Sequence, residues 1–388
     1  MIPADAREAA EILAAATADR RPVAISGGGS KAGVGRPGSG AATLSTTRLS
    51  GVIDYDPAEL VLTARAGTRL DEIETLVAGE GQMLAFEPFD FGPVFGRASG
   101  ASTLGGVVGA GIAGSRRLSA GNVRDHVLGF SAVSGRGDIF KAGGRVVKNV
   151  TGYDVSKVMA GSWGRLALLT EITLKVLPRP RETLTLALRG LPLDPAMKAI
   201  AEVMRSQAEL AAAAHIPADE SSLTLFRLEG VAPSVEARAK LVSDVLSDVS
   251  HLERLPAEDA SALWASVRDA SRLGQGGPND AQWRISLPLS AGGAVAAAVT
   301  EAGGRALIDW AGGLVWALAP PDLAPVTVRE LAAEAGGDAL LVRAPETLRQ
   351  TVPALHPPAP GVAALEARVR AAFDPAGILD PHRFGAGA

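Results

Sequence analysis

The sequence predicts an α+β protein of two unlike parts joined near residue 180, and three observations lead there. At 388 residues, 47% of them hydrophobic, the chain exceeds what one core commonly holds and has apolar material for two. The clearest alternating stretch, Leu166 to Leu177, stops at Pro178-Arg179-Pro180, where glycine-rich loops give way to regular helices and strands. Residues 282–343 then read strand, helix, strand, strand, helix, strand, the split βαβ order of ferredoxin-like modules, with Gly312-Gly313 turning the middle pair. The expected division is 1–180 and 181–388.

Taken in order, residues 3–20 predict an amphipathic helix stopped by Pro22, followed by the short strand Val23-Ala24-Ile25. Val52–Tyr55 and Leu60–Arg65 predict paired strands turned by Asp56-Pro57, and Thr68 is the expected cap of a helix over 69–79. Phe86 to Gly121 is rich in Gly, Pro and Ser and shows little periodicity. Strands resume at Asp125–Ser134 and, after the turn Gly135-Arg136-Gly137-Asp138, at Ile139–Lys141. Beyond the boundary, 183–188 and 222–228 predict strands, 193–213 an alanine-rich helix, 234–249 a second helix, and 361–373 a last amphipathic one. No short repeat is visible.

Composition narrows the function classes. A formal net charge of -4 argues against a chain built to neutralise nucleic-acid phosphates. With no cysteine, the chain supplies no disulfide, thiolate nucleophile or iron–sulfur ligand of its own. Its first 21 residues carry Asp5 and Glu8 among helically spaced apolar residues, unlike a signal peptide, and no run approaches the roughly 18 apolar residues of a membrane span. The expectation is a cytoplasmic chain, or one held on the inner face of a membrane through a partner.

Two glycine loops carry the functional signal. Val23–Ser26 runs into Gly27-Gly28-Gly29-Ser30-Lys31, where residues without side chains let several N–H groups point into one concavity suited to a diphosphate. In Thr103-Leu104-Gly105-Gly106 the backbone is expected to approach a ligand, with the small residues after it packed as a short helix. Gly109 to Gly114 also matches G-x-G-x-x-G. No strand precedes it and Gly121 interrupts the region where a long helix should follow, so a Rossmann site is not supported. Bulky residues at Gly28 and Gly105 are expected to abolish ligand binding while the chain stays folded.

The order of motifs points further. Strand–Gly-Gly-Gly-Ser, Ala64-Arg65-Ala66-Gly67-Thr68, Thr103-Leu104-Gly105-Gly106, Asn122-Val123-Arg124-Asp125, Lys148-Asn149 with Tyr153-Asp154, and Gly161-Ser162-Trp163-Gly164 leading to Leu169-Thr170-Glu171-Ile172-Thr173-Leu174-Lys175 resemble the FAD-binding domain of the vanillyl-alcohol-oxidase/p-cresol-methylhydroxylase (PCMH) superfamily. Phe373-Asp374-Pro375-Ala376-Gly377-Ile378-Leu379-Asp380-Pro381 resembles the closing motif of its hydroxy-acid branch. Within it, Arg116-Arg117 and the Asn122 to Asp154 motifs are most similar to the FAD-binding subunits of bacterial glycolate oxidase (glycolate dehydrogenase).

The resemblance implies a PCMH-type two-subdomain FAD-binding domain followed by a ferredoxin-like α+β cap. It implies that Gly27, Gly28, Gly29, Ser30 and Lys31 bind the pyrophosphate, and that Thr103, Leu104, Gly105, Gly106 and Gly109 line pyrophosphate and flavin. Asp125, Gly164, Glu171 and Ile172 would lie toward the ribose and adenine. Covalent attachment in this superfamily commonly uses a His beside the first glycine loop, or a Cys; this loop has neither, so non-covalent FAD is expected. The His-x-Gly-Asp-Gly-Asn-x-His stretch of catalytic relatives is missing, so no metal is assigned and the catalytic base is unidentified.

Three side chains are candidates for catalysis. Arg284, on a cap strand, has the planar fork that clamps a carboxylate, against the plainer reading of a solvent-facing arginine. His126 reads first as a packed histidine, and Tyr153 as an ordinary buried tyrosine. Tryptophans 264, 283, 310 and 316 read as core. The activity implied is oxidation of a small 2-hydroxy acid such as glycolate, with electrons passed to a homologous flavin subunit or an iron–sulfur subunit. Two other readings stay open: a free-standing oxidase of the same superfamily, and a non-catalytic FAD-carrying relay subunit.

Overall fold

A computed structural model describes residues 1–38, 40–144, 154–218, 221–249 and 252–384. The α+β expectation holds, and the molecule is organised around two antiparallel sheets.

The N-terminal part begins with helix Ala6–Ala18. Asp5 caps it by accepting from the amides of Arg7 and Glu8, and Ala9, Leu13 and Ala16 form the buried stripe. That stripe packs on Val23, Leu44, Val133, Leu168, Ile378 and Leu379. It therefore fixes strand Val23–Ser26, which pairs in parallel with Ala42–Ser45. Beside this pair lies a five-stranded sheet in the order Val52–Asp56, Val61–Arg65, Ala167–Lys175, Val127–Ser134, Ile139–Gly143. Its long central strand, Ala167–Lys175, is buried along most of its length, which explains why its sequence is nearly continuous in apolar and threonine residues. Thr63 and Thr173 face one another across the ladder with hydroxyls 3.0 Å apart. Thr68 does not cap the helix Leu70–Gly79 as expected: its hydroxyl donates to the Arg65 and Gly51 carbonyls instead, holding the preceding turn.

The cap is one eight-stranded sheet in the order Leu252–Arg254, Glu182–Arg189, Leu223–Gly230, Ala212–Ile216, Arg305–Asp309, Leu314–Ala319, Ala281–Ser286, Asp338–Arg343. In chain order it is two successive strand–helix–strand–strand–helix–strand units, each with its second strand at the seam, where His215 pairs with Ile308. The ferredoxin-like pattern expected over 282–343 thus occurs twice. The first unit was hidden because its second strand is Ala-Ala-Ala-His-Ile, which belongs to the alanine-rich stretch expected as helix 193–213. That helix ends at Arg205, where the Ser206 hydroxyl takes the Val203 carbonyl. Tertiary packing overrides alanine's helix preference here, because only small side chains fit both faces of the seam strand. Ala213 packs with the helix-side core, and Ala212 and Ala214 pack with the core shared with the N-terminal part.

Helices Leu193–Arg205, Ala232–Val245, Gly292–Glu301 and Pro325–Glu334 cover one face of the cap sheet. Its other face puts Leu225, Leu307, Leu314 and Trp316 against Phe89 and Phe91 of the glycine- and proline-rich stretch. After helix Pro360–Phe373 the chain returns to the N-terminal part, where Leu379 bridges Val23 and Asp380 donates its amide to the Val23 carbonyl.

Candidate functional site

Strand Val23–Ser26 aims the chain into the first glycine loop, and Thr46 closes its ladder by donating to the Ser26 carbonyl. The glycines there do two different jobs. A Cβ on Gly27 would stand 2.2 Å from the Thr103 hydroxyl, and one on Gly28 would stand 1.7 Å from the Ala101 carbonyl. These two residues let the loop cross residues 101–103. Gly29, at φ +79°, instead borders open space. Among the described residues, none of the five amides from Gly27 to Lys31 donates to a protein acceptor. Five adjacent unclaimed donors are a ready site for an anion.

The second loop supports the first. Thr103 caps the short helix Leu104–Ala110 by accepting from the Gly106 amide. The Leu104 and Gly105 amides donate to the Thr68 and Ala66 carbonyls, and a Cβ on Gly105 would meet Ala66 at 2.9 Å. Leu104 therefore points into the core rather than toward a ligand. Gly109, one turn along, has only the Gly164 amide nitrogen at 4.0 Å from where a Cβ would sit, so it is a true opening.

These loops enclose a cavity of about 310 Å³, in the size range of small-molecule sites. Its wall contains Gly27, Gly28, Gly29, Ser30, Lys31, Thr103, Gly105, Gly106, Gly109 and Gly164, all expected from the sequence. Four expected residues lie elsewhere. Leu104 is core, Ile172 is fully buried in the central strand, Glu171 accepts from Ser131 across the sheet, and Asp125 closes a capping box with Asn122. Sequence reasoning missed Arg36, Trp163, Asp380 and Arg383, which also line the cavity. Arg383 donates to the Val34 and Lys31 carbonyls and so ties the C-terminal segment to the loop.

The electrostatics favour a negatively charged guest. Lys31 is buried with its ammonium near the Ser30 and Ser102 hydroxyls, and burial lowers it to about 8 although Asp90 opposes this. Arg36 has a buried Nε without a partner. A diphosphate supplies what these donors lack, and the opening at Gly29 and Gly109 leaves room for the rest of a dinucleotide.

A second polar constellation joins the cap to the N-terminal part. Glu87 accepts two hydrogen bonds of 2.9 Å from Arg227 and one from the Arg116 amide. Burial works against its charge, but Arg227 holds Glu87 below the ordinary glutamate value. Arg116 in turn pairs with Glu229 at 2.7 Å. Asp309, 1% exposed, accepts from the Ser115 hydroxyl and the Trp310 amide, each at 2.7 Å, while burial raises it to about 6. The Trp310 indole donates to the Gly114 carbonyl.

Arg284 lies beside this network, near the Asp309 charge. Its guanidinium sits 4.7 Å from the Trp310 ring centre and 5.8 Å from that of Trp316, a stacked arrangement rather than a solvent-facing one. Burial lowers it to about 10, and it makes no hydrogen bond to a protein group among the described residues. His126 is held between the Ala120 and Lys175 carbonyls, its Nε2 2.8 Å from the former. Tyr153, with the Lys148-Asn149 motif, lies outside the described residues. Among the described residues no group of three His, Cys, Asp or Glu side chains could hold a metal ion, and no helix is long and apolar enough to cross a membrane.

Comparison with known proteins agrees with this geometry. The family model described as an FAD binding domain matches residues 1–143. Glycolate oxidase subunit GlcE of Escherichia coli is 38% identical over 324 residues, which cover 84% of this chain and 83% of that one. Glycolate oxidase subunit GlcD of Bacillus subtilis is 27% identical over 206 residues, 53% of this chain and 42% of that one. Among solved structures, alkyldihydroxyacetonephosphate synthase superposes with a TM-score of 0.67 at 16% identity, over 99% of this chain and 77% of that one, and shows the same fold. With a diphosphate cradle in the part matched by the FAD-binding model and a GlcE-like sequence along most of its length, the chain belongs to the PCMH-type FAD-binding family that includes GlcE, and FAD is its cofactor.

Proposed function

We propose that this chain is the FAD-carrying subunit of a complex that oxidises a small 2-hydroxy acid, with glycolate as its substrate. The observation that carries the reading is the Arg284 guanidinium, packed on Trp310 and Trp316 without a hydrogen bond to the protein among the described residues, in a chain whose sequence resembles a glycolate oxidase subunit along most of its length. Oxidation of glycolate to glyoxylate removes a hydride from Cα and a proton from the hydroxyl. FAD, when bound, supplies the two-electron acceptor. Arg284 orients the substrate by taking its carboxylate in a bidentate grip, and Trp310 and Trp316 hold the guanidinium flat and keep water from it. Asp309 and Ser115 fix the Trp310 turn against Gly114, so that the cap wall keeps its distance from the cradle.

FAD is held without a covalent bond in this reading, since the chain has no Cys and the described residues of the cavity wall include no His. The electrons leave to a homologous flavin subunit and an iron–sulfur subunit, because this chain has no cysteine with which to bind a cluster. The complex works in the cytoplasm or on the inner face of the membrane through its partners.

A relay reading, with turnover in a homologous partner, is favoured by one feature: among the described residues, the cap wall beside Arg284 is built from two tryptophans and paired or hydrogen-bonded acids. Anaerobic glycolate added to the holoprotein separates the two. Bleaching of the flavin band by the isolated chain, with the glycolate concentration for half-reduction raised at least tenfold in Arg284→Ala, supports turnover here. A silent flavin that bleaches only in the assembled complex, equally well with Arg284→Ala, overturns the assignment of Arg284.

A further inference from the structure

The cofactor cavity contains one acid, Asp380, and its situation is costly. The residue is 2% exposed, and neither carboxylate oxygen has a hydrogen-bond partner. Arg383 Nη1 stands 3.7 Å away, too far for a hydrogen bond, and the other nitrogens of that guanidinium are committed to the Val34 and Lys31 carbonyls. The backbone is strained as well: Asp380 sits at φ +46°, a left-handed conformation that disfavours a side chain. The amide bond to the Val23 carbonyl and the bridge from Leu379 to Val23 hold it there, beside the strand that feeds the glycine loop.

Packing alone does not account for this placement. A buried carboxylate without hydrogen-bond donors opposes folding, and burial raises Asp380 above the ordinary aspartate range although the nearby Arg383 and Arg165 charges pull it down. Such a group in a cavity wall belongs to a ligand's hydrogen-bond complement. The diphosphate is excluded as its partner by charge, and Lys31, Arg36 and the loop amides already serve that anion. What remains on FAD are its neutral donors, the sugar-chain hydroxyls and ring N–H groups.

We propose that the Asp380 carboxylate accepts a hydrogen bond from a neutral donor of bound FAD, so that the C-terminal segment completes the cofactor site. The proposal rests on the cofactor and not on the substrate, and stands whether or not glycolate is oxidised. It also predicts opposite signs for two measurements. Asp380→Ala removes from the apoprotein a buried charge held only by the 3.7 Å ion pair to Arg383, so its thermal midpoint should hold or rise, whereas FAD affinity should fall about ten- to a hundredfold. Asp380→Asn keeps an acceptor oxygen and should lose less affinity.

The test is FAD titration of the apoprotein by flavin fluorescence quenching, paired with thermal unfolding of each apo variant, and with ADP as a competitor. Weakening of ADP in step with FAD places the donor in the adenosine half; unchanged ADP affinity places it in the flavin half. Either result supports the proposal. Unchanged FAD affinity in Asp380→Ala overturns it, and so does a loss of affinity that tracks a fall in the apo midpoint.

Discussion

The two polar regions of this protein follow opposite rules. At the cap junction, Glu87, Arg227, Glu229 and Arg116 each have an opposite charge within 4 Å, and Asp309 has a donor on each oxygen. In the cofactor cavity, five consecutive amides, the Arg36 Nε and both Asp380 oxygens have no hydrogen-bond partner among the described residues, and the one opposite charge near Asp380, on Arg383, stands 3.7 Å away. Lys31 and Asp380 are as buried as the junction ions, whereas Gly28 is exposed and Gly27, Gly29 and Arg36 are half-buried, so the loop stands open to a ligand where the junction is closed. The junction pairs each of its charges within the chain, although Arg116 Nε and Arg227 Nε keep no hydrogen-bond partner, because its job is to fix the cap on the cradle. The cavity is unfinished, because the missing partners are the cofactor's own groups.

The sharpest way to break this comparison is to unfinish the junction. Arg227→Ala leaves Glu87 buried without its bidentate partner, and the loss should be about 3–5 kcal/mol in chemical denaturation. FAD binding by the protein that remains folded should be unchanged, since no atom of Arg227 lines the cavity. A neutral effect on stability would mean that the junction is not the lock described here.

A smaller effect comes from pH. Asp309 is raised to about 6, so between the unfolded value near 4 and that folded value the native state holds more protons than the unfolded one. Stability from this group is therefore lost as pH rises through that window. Asp309→Asn removes the dependence: relative to the natural protein, the variant should gain stability from pH 4 to pH 7, by at most about 3 kcal/mol. A constant difference across that range would show that Asp309 is ionised throughout.

The same contrast explains what was legible in the sequence. Gly27 to Lys31 announces itself, because a strand that ends in glycines has few other uses, and Gly105 to Gly109 because so many small residues together mark a close backbone approach. Their individual roles do not. Gly28 and Gly105 read as points of ligand approach, yet each is small because protein backbone passes beside it, so a bulky residue there would disturb the fold as well as the ligand; the expectation that such variants stay folded is corrected. Asp380 and Arg383 were missed because the C-terminal segment reaches the loop only through tertiary folding, and Arg36 because nothing in Gly35-Arg36-Pro37 marks its direction. The one signal was Asp380-Pro381 in the closing motif, which carries no information about which cavity it lines. The cap's internal two-fold was invisible for a related reason: the two units share topology and no repeated residues, and alanine-rich Ala212–Ile216 reads locally as helix.

Gly109→Leu is the most direct test of the central claim, because it fills the cavity from a helical residue whose Cβ direction is open and touches no backbone within 3.4 Å. FAD content should be read from the flavin absorption of the purified variant after incubation with excess cofactor, beside its unfolding midpoint. The account predicts a colourless protein with the midpoint of the natural apoprotein. A variant that binds FAD at natural stoichiometry and affinity would contradict it.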